Sequence, residues 1–221
     1  MKRAARSWRS RWSRMLLAVA VIAAALIAVP YTREPLLRSA GWALVGADPL
    51  EPADIIVISA DSRGAGALEA ADLVQSGIAT RVAVFTDPPS GEDLEFIRRG
   101  LPYEDEAERQ TRQLKSLGVT NIVRIPKTEA GTEGGAEVLP QWCADHQIRS
   151  LVFVGARDHS RRLQWVFART MRGHMTRVAV QPSRYSSFDP DGWWKSRAGI
   201  RTQIVEFQKL VFEIVLHPFS F

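Results

Sequence analysis

The chain has 221 residues, of which 46% are hydrophobic and 24% charged, ordinary values for a globular protein. Its formal net charge of +5 arises in the N-terminal arm. Residues 1–14 hold six Lys and Arg residues and no acidic residue, so residues 15–221 carry a net charge of −1. The composition therefore argues against nucleic acid as a partner. Cys143 is the single cysteine, which excludes an internal disulfide and a thiolate-rich metal site.

An apolar run follows the basic arm. Residues 15–29 are apolar and uncharged, and Trp12 and Tyr31 extend the segment to about 30 Å of helix, the thickness of a bilayer core. Lys and Arg precede the run, which orients the N-terminus into the cytoplasm. We expect a transmembrane signal-anchor over residues 15–31 that binds the lipid bilayer, with the following domain on the periplasmic or extracellular side of the inner membrane. A cleaved signal peptide is the alternative.

The remaining sequence alternates short apolar runs with helical patterns. Strands are predicted at 55–59, 81–85, 121–125, 150–155 and 175–180, and helices at 67–76, 104–117, 132–145, 158–171 and 200–216. Pro140 is expected to kink or divide its helix. The alternation is typical of a mainly parallel sheet covered on both faces. We therefore predict a Rossmann-like three-layer α/β sandwich over residues 53–221, preceded by a linker over residues 32–52.

In such sheets ligands bind beyond the carboxyl ends of the strands. The loop after the first strand contains Asp61 and Arg63, and the loop after the fourth contains Asp158, which can cap the next helix, and His159. Arg162 shares a helix face with His159 because three residues separate them. A histidine there can act as acid or base, and an arginine suits phosphate or carboxylate. A solvated helix start is an equally good interpretation.

Two other predicted helices begin at the same edge with polar residues. Glu106 opens one of them, and Thr132 and Glu133 open the other. Acidic residues in a first turn usually stabilise the helix dipole, but at this edge they can also join a site. No spacing is diagnostic of a metal ion, so none is assigned, and the cofactor stays unknown. The glycines at 64 and 66 are a weak dinucleotide signal, since Glu69 stands where a third glycine is needed.

Taken in order, these segments resemble the YdcF-like family of ElyC/SanA-type bacterial envelope proteins. The resemblance covers residues 53–215 and consists of ADIIVIS at 53–59, Gln75-Ser76-Gly77, Glu106-Ala107, Leu117-Gly118-Val119, Thr132-Glu133, Asp158-His159-x-x-Arg162, and Trp193-Trp194-Lys195 before Glu206-x-x-Lys209. It implies a Rossmann-like domain, often behind one transmembrane helix, linked to cell-wall or lipid-carrier metabolism. Four residues match recurring family positions: Glu106, Thr132, His159 and Arg162.

The leading hypothesis is an envelope protein that binds a small anionic ligand, phosphorylated or lipid-linked, at the membrane surface. If it is an enzyme, we expect hydrolysis or group transfer, with His159 as acid or base and Glu106 or Glu133 as a second one. The expected ligand-binding residues are Asp61, Arg63, Thr132, Asp158 and Arg162. A non-catalytic envelope module that binds a partner through the same pocket or through Trp193 and Trp194, and a nucleotide-type binder such as an S-adenosylmethionine protein, are the alternatives.

Overall fold

The computed structural model describes residues 30–129 and 131–217. The chain divides into two units, residues 1–40 and residues 41–221. The predicted basic arm and nearly all of the predicted anchor, residues 15–29, lie outside the described residues. Within the described ranges, no helix combines the length and the apolar character needed to span a bilayer.

The first described element is helix α1, Pro30–Trp42. The predicted linker over residues 32–52 thus begins as a helix, which its prolines did not suggest. Pro35 lies inside the helix, and its carbonyl accepts a hydrogen bond of 2.9 Å from the hydroxyl of Ser39.

Five strands form one all-parallel sheet. They are β1 (Ile55–Ile58), β2 (Val82–Thr86), β3 (Ile122–Pro126), β4 (Ser150–Gly155) and β5 (Arg177–Pro182). Their order is β3-β2-β1-β4-β5. In register, Val57 of β1 lies between Ala83 of β2 and Phe153 of β4. The Rossmann-like α/β prediction is confirmed, and the direction of strand addition changes between β1 and β4, where sheets of this kind bind their ligands.

In the described part of the chain, six further α-helices connect or follow the strands. They are α2 (Arg63–Gln75), α3 (Gly91–Arg98), α4 (Glu106–Ser116), α5 (Gly131–Asp145), α6 (Ser160–Thr170) and α7 (Arg197–Leu216). Short 3₁₀ turns lie at 60–62, 157–159 and 193–195. Helix α3 was not predicted, although Ser90 and Asp93 form a capping box at its start. Pro140 does not divide α5, which runs unbroken through it.

Alternate residues of each strand face opposite layers. Ile55 and Val57 join a buried core with α5 and α6, whereas Ile56 and Ile58 join a second core with α2 and α4. The central strands β1, β2 and β4 are apolar on both faces because helices cover both faces. Cys143 lies fully buried in the first of these cores, as expected for a small packing residue.

Helix α7 reverses the usual distribution of side chains. Its buried residues are Gln203, Glu206, Leu210 and Glu213. Its exposed apolar residues, called here the outer face of α7, are Ile200, Ile204, Val205, Phe207, Val211, Phe212, Val215 and Leu216. A helix on a globular domain normally buries its apolar stripe and exposes its charges.

Candidate functional site

A cavity of about 280 Å³ opens at the carboxyl ends of the strands, the edge where the sequence predicted a site. We call it the first cavity. Its wall combines the loop after β1, the ends of β2 and β3, and the first residues of α4 and α5. The charged and polar side chains that line it include Asp61, Arg63, Asp87, Glu106, Lys127 and Thr132.

An ion pair lies between the loops that follow β1 and β4. Nε2 of His159 is 3.1 Å from Oδ2 of Asp61, and Nδ1 of His159 is 3.7 Å from Oδ1 of Asp158. Only 5% of the His159 side chain is exposed, against 45% of Asp61. Burial alone lowers the pKa of His159, but the two carboxylates outweigh it and raise that pKa to about 10. His159 is therefore an imidazolium at neutral pH.

The same contact keeps Asp61 ionised. Burial would raise its pKa, but the charge of His159, the hydrogen bond from the hydroxyl of Ser59 and the more distant charge of Arg162 hold the pKa well below its usual range. The hydroxyl of Ser59 donates to the other carboxylate oxygen. Asp61 thus presents a stable carboxylate to the first cavity, and the histidine lies behind it.

Arg63 starts α2 in an unusual backbone conformation. Its φ is 49° and its ψ is −141°, a combination that residues with a side chain rarely adopt. Strain of this kind costs about 1–3 kcal/mol and tends to occur at functional sites. Among the described residues Arg63 has no ion-pair partner, and its side chain lines the first cavity.

Glu106 supplies a second carboxyl group to this cavity. It follows Asp105, the N-cap of α4, and Oε2 lies 2.9 Å from the guanidinium of Arg109. The other oxygen, Oε1, is buried and has no hydrogen-bond partner among the described residues. Burial raises the pKa of Glu106. The positive charges of Arg109 and Arg63 lower it, but the effect of burial is larger. The cavity therefore holds two carboxyl groups whose pKa values shift in opposite directions.

The sequence interpretation missed Lys127. Its side chain is only 2% exposed and forms an ion pair with Asp87. Its ammonium also donates to the carbonyl of Gly131 at 3.0 Å and lies 5.1 Å from the ring centre of Phe85. A signal was present, since a lysine directly after a strand at the ligand-binding edge is a candidate for the site.

A second cavity, of about 880 Å³, lies beside the first. Its wall comes from the start of α5 and from α6 and α7, and it shares Asp61 and Thr132 with the first cavity. Arg162 lies here, 3.4 Å from Glu206, which is also 2.7 Å from the ammonium of Lys209. Glu133 lines this second cavity and not the first.

The predicted site residues thus fall into three groups. Asp61, Arg63, Glu106 and Thr132 line the first cavity, and Asp61 and Thr132 reach the second as well; Arg162 and Glu133 line the second alone, and His159 and Asp158 line neither. Asp158 does not cap α6 through its side chain, because it lies within a 3₁₀ turn and His159 takes the N-cap position. Among the described residues no group of three His, Cys, Asp or Glu side chains could hold a metal ion.

The fold belongs to the Rossmann-like class of α/β domains with a parallel sheet. No protein-family model, curated protein or solved structure matches the chain. Domains of this class support many unrelated activities, so a function has to be argued from the site.

Proposed function

We propose that this protein binds a small phosphorylated ligand in the first cavity and catalyses hydrolysis or group transfer on it. The observation that supports this most directly is the pair of carboxyl groups with opposite pKa shifts. Asp61 stays ionised and can serve as a nucleophile, whereas Glu106 keeps its proton to higher pH and can donate it to a leaving group.

The charges around the first cavity favour an anion. His159 neutralises Asp61, and Lys127 neutralises Asp87. Arg63 is left without an ion-pair partner among the described residues, in a backbone conformation that holds it at the cavity wall. A guanidinium suits a phosphate because it can donate two parallel hydrogen bonds.

In this proposal His159 has a different role from the acid or base expected from the sequence. It is buried, it lines neither cavity, and its pKa of about 10 keeps it charged. His159 is therefore a positioning residue that keeps Asp61 ionised and oriented. Arg162 is paired with Glu206 in the second cavity, so the anion clamp of the first cavity is Arg63.

The proposal also places the protein at a membrane. We take it to be a YdcF-like envelope protein, anchored through residues 15–31 with the domain on the periplasmic side. The apolar run after a basic arm and the order of the family-like segments support this. At that position, lipid-linked phosphates are a ligand class within reach of the site.

The experiment uses the full-length protein in detergent. Thermal shift is measured with inorganic pyrophosphate, glucose 1-phosphate and a short-chain polyprenyl diphosphate, and phosphate release is measured in parallel. We expect stabilisation by at least one probe, lost in Arg63→Ala and kept in Arg177→Ala. Arg177 is the matched control because it is the first residue of β5 and so lies at the amino ends of the strands, away from the first cavity.

Catalysis is tested on the same probe. Asp61→Asn and Glu106→Gln are each expected to lower the rate about 10²–10⁴-fold. Since Glu106 acts in its protonated form, the wild-type rate should fall as pH rises through its raised pKa, and Glu106→Gln should lack this limb. Binding without turnover would support a non-catalytic module, and the absence of binding by every probe would contradict the proposed site.

A further inference from the structure

The outer face of α7 is an extended apolar surface. Its eight side chains are spread over nearly five turns, and at about 100° per residue they occupy about half of the helix circumference, a sector that also contains the exposed Arg201 and Gln208. Phe212 is 66% exposed and Val215 is 68% exposed. The largest apolar patch on a protein surface is often a contact with another molecule or a membrane.

The inner face of α7 explains why the helix does not turn its apolar side inward. Glu206 is held by Arg162 and Lys209, and Glu213 lies 3.0 Å from Arg169 of α6. Rotating the helix by half a turn would break these contacts and leave the arginines of α6 without their carboxylates. The inner ion pairs therefore hold the helix with its outer face toward the solvent.

We infer that the outer face of α7 lies on the surface of a lipid bilayer, with the helix axis in the plane of the membrane. Exposed cations surround the start of the helix, at Lys195, Arg197 and Arg201. Such cations suit anionic headgroups, while the apolar side chains enter the boundary between headgroups and acyl chains. This inference rests on the membrane anchor of the proposed function, which brings the domain to the bilayer.

A second copy of the chain fits this face less well. A 20-residue helix is about 30 Å long and presents a strip about 10 Å wide, or roughly 300 Å² in projection. Even doubled for side-chain relief, this falls short of the roughly 800 Å² per partner of a stable protein interface. A bilayer sets no such limit, because it can accept a narrow strip at any point of its surface.

This placement sets the position of the second cavity. Phe212 and Leu216 belong to the outer face of α7 and also line that cavity, while Arg162 and Lys209 lie farther along its wall. With the outer face on the bilayer, the mouth of the second cavity opens at the level of the lipid headgroups. The apolar rim then meets lipid chains, and the cationic residues lie within reach of headgroup phosphates.

The test uses the full-length chain with Cys143→Ala and one new cysteine labelled with bimane. Phe212→Cys reports on the outer face, Ile204→Cys is a second position on it, and Met175→Cys is the control, since Met175 is 89% exposed and lies just before β5. The proteins are reconstituted into vesicles of phosphatidylethanolamine and phosphatidylglycerol, with and without bromine on the acyl chains. Melting temperatures confirm that each variant is folded.

We expect brominated lipids to lower the fluorescence at 204 and 212 about twofold and to leave the label at 175 unchanged. If the protein floats with the vesicles but the labels on α7 stay unquenched, the anchor holds and the inference about α7 is wrong. Self-quenching between copies at 212 without lipid quenching would assign the face to a dimer and also overturn it. Failure to float with the vesicles would contradict the anchor and the inference together.

Discussion

The imidazole of His159 and the carboxylate of Asp61 join two loops that are 98 positions apart in the sequence but adjacent in the sheet. Nε2 and Oδ2 lie 3.1 Å apart, across the point where the strand order changes direction between β1 and β4. The contact links the loops that follow these two strands. It therefore contributes to the stability of the domain and to the geometry of the proposed site.

The first prediction concerns the pH dependence of this contact. The pKa of His159 rises from 6.5 to about 10 on folding, so its stabilising effect is complete below pH 6.5 and is lost as pH rises toward 10. The pKa of Asp61 falls from 3.8, so its effect is present above that pH and is lost on acidification. Asp61→Asn should therefore lower the free energy of unfolding most between about pH 4 and pH 6.5, by about 1–2 kcal/mol after allowance for solvent exposure.

Urea denaturation of the wild type and of Asp61→Asn, repeated at intervals across pH 3–11, measures this difference in the free energy of unfolding. Glu92→Gln is the control, because Glu92 is exposed in the first turn of α3, outside the site. A difference between wild type and Asp61→Asn that does not change with pH would show that the ion pair is not its cause.

The second prediction separates backbone strain from side-chain function. Arg63 and Gln147 are the non-glycine residues with positive φ in the described part of the chain, at 49° and 56°. Glycine adopts such angles freely, so Arg63→Gly and Gln147→Gly should each stabilise the fold by about 1 kcal/mol. Only Arg63→Gly should also abolish binding of the phosphorylated probe, since Gln147 is remote from both cavities.

Thermal melting with and without the probe gives both readouts. If Arg63→Gly leaves the ligand-induced shift intact, Arg63 is not the anion clamp. If it destabilises the free protein, the guanidinium makes a structural contribution larger than the strain.

The third prediction concerns the buried ammonium of Lys127. Asp87→Asn removes its charged partner and should destabilise the fold by about 2–4 kcal/mol, because Lys127 is only 2% exposed. Lys127→Met leaves the carboxylate of Asp87 unpaired, but one-third of that side chain is exposed to water. This variant should therefore lower the free energy of unfolding by less than Asp87→Asn does. The double variant should cost less than the sum of the two, with a coupling of about 1–3 kcal/mol. Urea denaturation of the wild type, the two single variants and the double variant measures this coupling. Additive effects of the two substitutions would contradict a direct ion pair.

The fourth prediction uses Cys143 as a reporter of unfolding. Burial raises the pKa of its thiol to about 11, against an opposing hydrogen bond with Thr176. The raised pKa lowers the thiolate fraction about 10²-fold, and burial also blocks the reagent, so the native thiol should react at least about 10²-fold more slowly than the unfolded one. Met175→Cys is the control, because it adds an exposed thiol that should react at once. Rapid labelling of Cys143 in the native protein would contradict the prediction and show that the core around α5 opens easily.

The sequence was sufficient to predict the strands and the edge of the sheet at which the candidate site lies. Continuous apolar runs such as Ile55–Ile58 predict buried parallel strands, and strand topology then places Asp61 and the start of α4 at one edge. The sequence could not show that His159 turns toward Asp61 and away from the cavity, because that depends on the side-chain orientation at a 3₁₀ turn. Nor does helical periodicity say which face points inward, so α7 was predicted as a helix with an apolar face but not as one that exposes it.

Asp61 lines both cavities, so a charged ligand bound in either cavity changes the electrostatic potential at the same carboxylate. A bound group that changes the field at Asp61 from one side alters the affinity for a charged group on the other side. By thermodynamic reciprocity the effect is equal in both directions. If both cavities bind phosphates as proposed, occupancy of the second cavity would therefore change how strongly the first cavity holds its ligand.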